Sequence, residues 1–500
     1  MPIVLAIDIG TTNVKAATFD EKGDALSVAR TEVSIHSPAP NLAVQPLNEL
    51  YEATIRSAKS AVKIAKIGDV DAVSLSAQMH GLGAIDSDGK ELLPLITYLD
   101  TRSAIVLENL EKMVSPHELY EKTGCPPLFI YPLTKLIWLK RTSPEIITKA
   151  RWFVSAKDYV VYKILGEPHI DRSVMSGSQL LDIHKLTWSD LALSLIDIDE
   201  DKLPHLCDGE KVLEKMPKQI AELIGLNEGA PLVLGASDGA LHSVGLGATE
   251  RNKLALNIGT SGAVRSVSEN PLIDKDKAMR FFCYYIGHGL RLPGGAVNNA
   301  GIVLRWFRDE FGQSEVMSAK LIDEDPYNLL TKQASSVEAT AEKLLVLPFF
   351  SGERFPVRDP YAKGVIFGLT LRHGRAHVIR ALMEGCIYAL KWVYDAMIEN
   401  GVTGRVLRSG GGGARSVLWR QIQADIFGLP VERTSVEEAS LLGAAIFGLI
   451  AIGKYKSLTE ATNNMINVVD VRHPNLENHE KYVEMYELFK KLYSSLKGIY

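Results

Sequence analysis

The apolar and polar positions of the first eighty residues change period several times. Ile3 to Ile9 is nearly all apolar, as in a strand buried on both faces. Val14 to Phe19 predicts its hairpin partner, a turn follows at Asp20-Glu21-Lys22-Gly23, and Asp24 to Val33 alternates as a third strand. From Leu47 to Ile67 the spacing turns helical, with Leu50, Ala53, Ile55, Ala58, Val62 and Ile64 near one side. Val70 to Leu75 returns to strand. Three strands, a helix and a strand predict a mixed sheet, not a simple βαβ series.

The same reading continues down the chain. Ile85 to Lys90 predicts a hairpin turn, and residues 104–150 read as mostly helical, broken at Pro126-Pro127. Phe153 to Ile164 fits a strand or a helix, and the Ser-rich stretch Asp171 to Leu181 predicts a loop near a site. Ala230 to Ser237 is a buried strand ending in small residues, with a helix expected from Ala240. His377 to Met397 predicts a long helix, its stripe of Val378, Leu382, Cys386, Leu390, Val393 and Met397 facing the core. Glu437 opens a helix of small residues able to pack closely.

One pattern occurs twice. Leu5-Ala6-Ile7-Asp8-Ile9-Gly10-Thr11-Thr12-Asn13-Val14-Lys15 is echoed midway by Leu254-Ala255-Leu256-Asn257-Ile258-Gly259-Thr260-Ser261-Gly262-Ala263-Val264. Each copy joins two apolar runs through a glycine and hydroxyls, the chemistry of a phosphate cradle. A single copy reads as an ordinary hairpin turn. The aligned pair favours two lobes closing on one polyphosphate.

Other polar groups gather at element ends. Gln78-Met79-His80-Gly81 follows a strand directly, where sheets commonly face a ligand; His80 fits a site or a core histidine bonded to backbone. Asp100 and Arg102 suit polyol hydroxyls or a surface ion pair. Asp238 stands where a helix begins, which favours its charged form, or serves as an N-cap. The strand Val406-Leu407-Arg408 leads into Ser409-Gly410-Gly411-Gly412-Gly413 and a helix from Val417, letting a ligand approach the backbone. No Gly-Lys-Ser/Thr follows, so this is not a P-loop.

Composition narrows the class. At 500 residues, 46% hydrophobic and 23% charged, the chain reads as globular and long enough for two or more domains. A net charge of −5 without basic blocks argues against a nucleic-acid partner. Cys125, Cys207, Cys283 and Cys386 are scattered without metal spacing and read as thiols of a reducing compartment. No signal peptide or membrane span is expected, and the expected location is cytoplasmic.

Taken in order, Asp8-Ile9-Gly10-Thr11-Thr12, Gln78-Met79-His80-Gly81, Asp100-x-Arg102, Pro132-x-x-Lys135-x-x-Trp138, Gly235-Ala236-Ser237-Asp238, Asn257-Ile258-Gly259-Thr260-Ser261, Gly352-Glu353-Arg354-x-Pro356 and Ser409-Gly410-Gly411-Gly412 resemble the FGGY family of carbohydrate kinases. The resemblance covers nearly the whole chain. It implies an α/β fold of two ribonuclease-H-like domains, of the actin/hexokinase-like ATPase type, around a deep interdomain cleft. Residues 1–246 would bind sugar and residues 247–500 ATP. It implies ATP and Mg²⁺, with Asp238 as catalytic base and Asp8 and Asp238 toward the metal. Gln78, Met79, His80, Asp100, Arg102 and Asp238 would bind the sugar. Gly10, Thr11, Thr12, Asn13, Gly259, Thr260 and Ser261 would bind phosphates, and Gly410, Gly411, Gly412, Gly413 and Ser416 would lie against the nucleotide. Lys15 would add a phosphate contact or lie on the far face of its strand. A homodimer is compatible with the resemblance, although no stretch marks an interface.

The chemistry follows from these roles. A sugar hydroxyl is a poor nucleophile until a base such as Asp238 accepts its proton. Within the family, the segments around Gln78 and Gly352 are similar to those of members acting on xylulose and gluconate. Gly294 to Trp306 and Phe367 to Leu371 lean toward gluconate, so D-gluconate is expected ahead of D-xylulose. A sugar acid would need a cation for its carboxylate, for which Arg102 or Arg172 is the expected residue. A non-sugar actin-like ATPase or sensor is the distant alternative, and such a protein would not need Asp238 with the Gln78 and Asp100 polar set.

Overall fold

The computed structural model describes residues 1–499. Its first sheet has the order Val212–Lys215, Pro231–Ser237, Ala72–Ala77, Ile3–Ile9, Asn13–Asp20, Ala25–Glu32. Ala72–Ala77 runs parallel to both Ile3–Ile9 and Pro231–Ser237, while the hairpin strands are antiparallel. The second sheet has the order Phe282–Gly287, Leu290–Val297, Gly262–Arg265, Lys253–Ile258, Val406–Gly410, Val431–Thr434, Val468–Arg472. Here Lys253–Ile258 is antiparallel to Gly262–Arg265 and parallel to Val406–Gly410. The sequence repeat is thus a repeat of structure: each copy is a hairpin whose first strand lies central in its sheet.

Ile3–Ile9 is apolar throughout because both faces of its sheet are covered. The helix Leu47–Ala65 buries Leu47, Leu50, Ala53, Ala58, Ala61 and Val62 against the sheet on one side. The opposite face is covered by Ala439–Ala451, a helix from the far end of the chain. A division at 246/247 falls between the two sheets, yet this later helix packs on the first.

Small residues make that crossing possible. Ala439–Ala451 lies against the helix Asp238–Gly245 so closely that a Cβ at Gly443 would stand 2.1 Å from the Leu241 carbonyl oxygen, and one at Gly245 would stand 1.9 Å from that of Ala439. Backbone cannot yield as a flexible side-chain tip can. Gly443→Ala is therefore expected to cost about 1–3 kcal/mol in urea unfolding, and an unchanged midpoint would mean the two helices separate freely.

Two local expectations change. Asp171 to Leu181 is not simply a loop: Asp171 accepts the Val174 N–H at 2.8 Å and caps a short helix, Arg172–Ser176. Phe153 to Ile164 is both elements in turn, a strand Trp152–Val154 and a helix Ala156–Leu165 opened by a Ser155–Asp158 capping box. Among the described residues no helix is long and apolar enough to cross a membrane. All four cysteines are free; three are buried and Cys207 is partly exposed.

Candidate active site

The two repeated turns meet across a cavity of about 180 Å³ lined by both halves of the chain. The Gly10 N–H donates to the Asn13 carbonyl at 3.1 Å, and the Gly259 N–H donates to that of Ser261 at 2.9 Å. A Cβ at Gly10 would lie 2.7 Å from the Asn13 oxygen, so the first turn closes only around glycine. The second turn is braced by the helix Gly301–Phe311: the Gly301 N–H reaches the Gly259 carbonyl at 2.8 Å and the Ile302 N–H reaches that of Thr260 at 3.1 Å. Thr11, Asn257 and Ser261 line the cavity.

Gln78 belongs to the first turn. Its Nε2 donates to Gln45 Oε1 at 2.9 Å, its Oε1 accepts from the Thr11 hydroxyl at 3.2 Å, and Gln45 Nε2 closes the ring on the Thr11 carbonyl at 2.9 Å. His80 lines the same cavity at φ 69°. Its Nδ1 lies 2.7 Å from the Gly177 carbonyl, and burial pushes its ring down to about 3. The neutral ring therefore donates from Nδ1 and keeps Nε2 as an acceptor. Lys135, fully buried, donates to the carbonyls of His80, Ile96 and Thr97 at 2.6–3.0 Å and fixes this loop.

Asp238 is the first residue of its helix, and Ser237 before it is the N-cap. Its Oδ1 accepts the Gly239 N–H at 2.6 Å. The helix terminus favours its charged form; burial, followed by the nearby charge of Asp8, opposes this and pushes it up to about 6, which leaves it ionised at neutral pH. Asp8 is itself raised by burial, although Ser76 donates to its Oδ1 at 2.7 Å. Beneath them Lys157, wholly buried, bonds Asp171 at 2.6 Å and the carbonyls of Leu234 and Ala236 at 2.8 Å. It holds the strand end from which Asp238 projects.

Lys15 is opposite Asp8 in the hairpin register, which puts both side chains on one face. The far-face alternative falls away, but its Nζ is engaged by Glu438 at 2.7 Å. Thr12 and Asn13 bond each other at 3.2 Å on the exposed side of the turn, outside the cavity lining. Gly410 to Gly413 and Ser416 also stand outside that lining, beside the second turn: a Cβ at Gly411 would be 2.5 Å from Asn257 Oδ1. Ser416 caps the helix Val417–Phe427 through the Trp419 N–H at 3.2 Å.

Asp100 and Arg102 do not reach the cavity. Asp100 is buried, accepts the Ala43 N–H at 3.0 Å, and pairs with Arg102 at 2.8 Å; the guanidinium lies over the Trp138 ring at 4.8 Å. Two charges two residues apart satisfy each other. Arg172 is likewise spent, on Asp208 at 2.6 Å and the Leu186 carbonyl at 2.9 Å. In their place the cavity holds Arg265, Arg354, Tyr98 and Tyr284, none of which was expected there. A signal existed for Arg265: it shares a strand face with Ala263, two residues earlier, just past the repeated turn.

The comparisons with known proteins agree with this architecture. Residues 3–245 match the N-terminal domain, and residues 254–452 the C-terminal domain, of the FGGY family of carbohydrate kinases. A gluconokinase of Bacillus licheniformis is 36% identical over 499 residues, covering 99% of this chain and 96% of that protein. A xylulose kinase of Escherichia coli (strain K12) is 32% identical, covering 98% and 99%. The crystal structure of a gluconate kinase from Lactobacillus acidophilus superimposes with a TM-score of 0.92 at 28% identity, covering 99% and 98%. With a repeated glycine-and-hydroxyl turn on each side of a shared cavity and full-length likeness to these enzymes, the chain belongs to the FGGY family of carbohydrate kinases and is an ATP-dependent phosphotransferase acting on a sugar.

Proposed function

We propose that this kinase transfers the γ-phosphoryl of Mg·ATP to a hydroxyl of D-gluconate, with Asp238 as general base. The observation that carries the reading is Asp238 itself: a carboxylate held at about 6, in the lining of a cavity flanked by both repeated turns. A base of that strength is largely ionised at neutral pH and still accepts a proton as the hydroxyl attacks phosphorus. His80 Nε2, an acceptor, suits a sugar hydroxyl beside it. Ser261 offers a hydroxyl to the phosphates, and the Thr11 hydroxyl would do so on turning away from Gln78 Oε1.

Asp8 and Asp238 fit a magnesium ion. Burial raises both carboxyls, the charge of Asp8 raises Asp238 further, and both are hard oxygen donors. Among the described residues there is no cage of three or more acidic, histidine or cysteine ligands, and Mg²⁺ typically takes one or two carboxylates with substrate phosphates and water. When bound, the ion would neutralise phosphate charge; Asp8 would hold it and Asp238 would remain next to the hydroxyl.

D-gluconate is favoured by the 36% identity to a gluconokinase, and the 32% identity to a xylulose kinase supports D-xylulose as the second reading. A coupled ADP-release assay with D-gluconate, D-xylulose, D-ribulose, glycerol and a blank separates them. Gluconate is expected to lead in kcat/KM by about 10-fold or more, a difference that a few pocket contacts supply. Best turnover on D-xylulose would replace the acceptor and leave the role of Asp238 standing. Equal ADP release in every well would remove the sugar-kinase mechanism.

A further inference from the structure

The charged lining of the cavity is unbalanced. Arg265 and Arg354 both line it, and Asp238 is the one acid among the described lining residues. Neither arginine is within ion-pair distance of an acid among the described residues, although Asp238 lies near enough to Arg265 for each to favour the other's charge. A guanidinium without a bonded anion in a partly buried cavity is unfavourable, and here two of them face one acid.

Both are held in place by their surroundings. The stem of Arg265 crosses Gly294, where a Cβ would stand 2.9 Å from its Cγ. Its guanidinium rests on Gly239, where a Cβ would stand 2.8 Å from Nη2. A side chain at either glycine would displace it. Arg354 is oriented by Asn298, whose Oδ1 accepts from its Nε at 2.6 Å; the Asn298 amide is tied in turn to the Gly352 carbonyl at 3.3 Å. The neighbouring Glu353 does not neutralise it: burial pushes that carboxyl up to about 8, and its Oε1 is taken by the N–H groups of Asn298 and Arg354.

The backbone of Arg265 is set apart from the second turn: the strand Gly262–Arg265 leads away from it, and at roughly 3.3 Å per residue Arg265 starts about 10 Å beyond Gly262, with its guanidinium lying against Gly239. The residues that the sequence offered for a sugar carboxylate, Arg102 and Arg172, are already paired. His80 Nε2, an acceptor, would repel a carboxylate and receive a hydroxyl.

We infer that Arg265 and Arg354 form a carboxylate clamp that selects a sugar acid over a neutral ketose or polyol. The inference rests on the kinase reading above. The transferring phosphoryl is the other anion present, and the test separates the two.

The test uses the full chain with Mg·ATP and two acceptors that differ at one end only: D-gluconate, and D-glucitol, which carries CH₂OH in place of the carboxylate. Arg265→Gln and Arg354→Gln are each expected to raise the gluconate KM about 10- to 100-fold, as losing a charge-assisted bond does. The gluconate-to-glucitol ratio of kcat/KM falls by the same factor, with the ATP KM within about 3-fold of wild type as the control for folding. Arg354→Lys, which keeps the charge, should recover part of the loss. An unchanged ratio, in a wild-type enzyme that does use gluconate, would overturn the clamp and leave the kinase reading intact. A fall in kcat equal for both acceptors with Arg265→Gln would give that arginine to the phosphoryl group instead. A wild-type enzyme that ignores gluconate and turns over a ketose would overturn both the clamp and the choice of acceptor.

Discussion

Asp238→Asn is expected to lower kcat by about 10²- to 10⁴-fold while the ATP and sugar KM values stay within a few-fold, the size of effect a positioned general base has. Asparagine keeps the shape and the acceptor for the Gly239 N–H but cannot take a proton. The wild-type enzyme should also carry a pH signature. Asp238 must be ionised to act, and its carboxyl is raised to about 6, so activity rises with pH up to about 6 and levels above it. The variant's residual rate should lack that rise. Steady-state ADP release from pH 5 to 8 reads both features, and retained turnover with the same pH rise would remove Asp238 from the base role.

The second large effect is on stability. Lys157→Met should destabilise the fold by about 3–5 kcal/mol, because it strands a buried carboxylate without its cation. Asp171 is 1% exposed and Lys157 is 0% exposed, so water cannot take over the lost partner. Two carbonyls beneath the strand end, those of Leu234 and Ala236, lose their donor at the same time. Urea unfolding measures the loss. The double variant Lys157→Met with Asp171→Leu should recover part of it, since no charge is then buried without its partner, while the Val174 N–H loses its cap and the two carbonyls stay without their donor. A single-variant loss under about 1 kcal/mol would show that the pair does not support this strand. Because that strand delivers Asp238, a fall in kcat should accompany the loss of stability.

The charged residues divide in an instructive way. Asp8 lies near the end of one apolar strand and Asp238 directly follows another, and strand ends meet at one edge of a sheet, so local pattern already brings them near one place. Asp100 and Arg102 carry the same types of charge and the same suggestive spacing, yet they close on each other and on Trp138. Nothing in the spacing distinguishes a pair that reaches out from a pair that is mutually satisfied. Arg265 and Arg354 are far apart in sequence and line one cavity only because the sheet that bears Arg265 packs, through Phe282 and Gly295, beside the loop that bears Arg354.

What the sequence determined by itself is what local periodicity and backbone freedom encode. The hairpins, the long helices, the turn that requires Gly10, and the repeat of one strand–turn–strand unit in each half are of that kind. The tertiary structure alone decided which side chains face the cavity, that burial outweighs the helix terminus at Asp238, and that Ala439–Ala451 covers the first sheet. These outcomes depend on contacts between residues hundreds of positions apart, and on the desolvation those contacts impose, and neither quantity is written in any short stretch of chain.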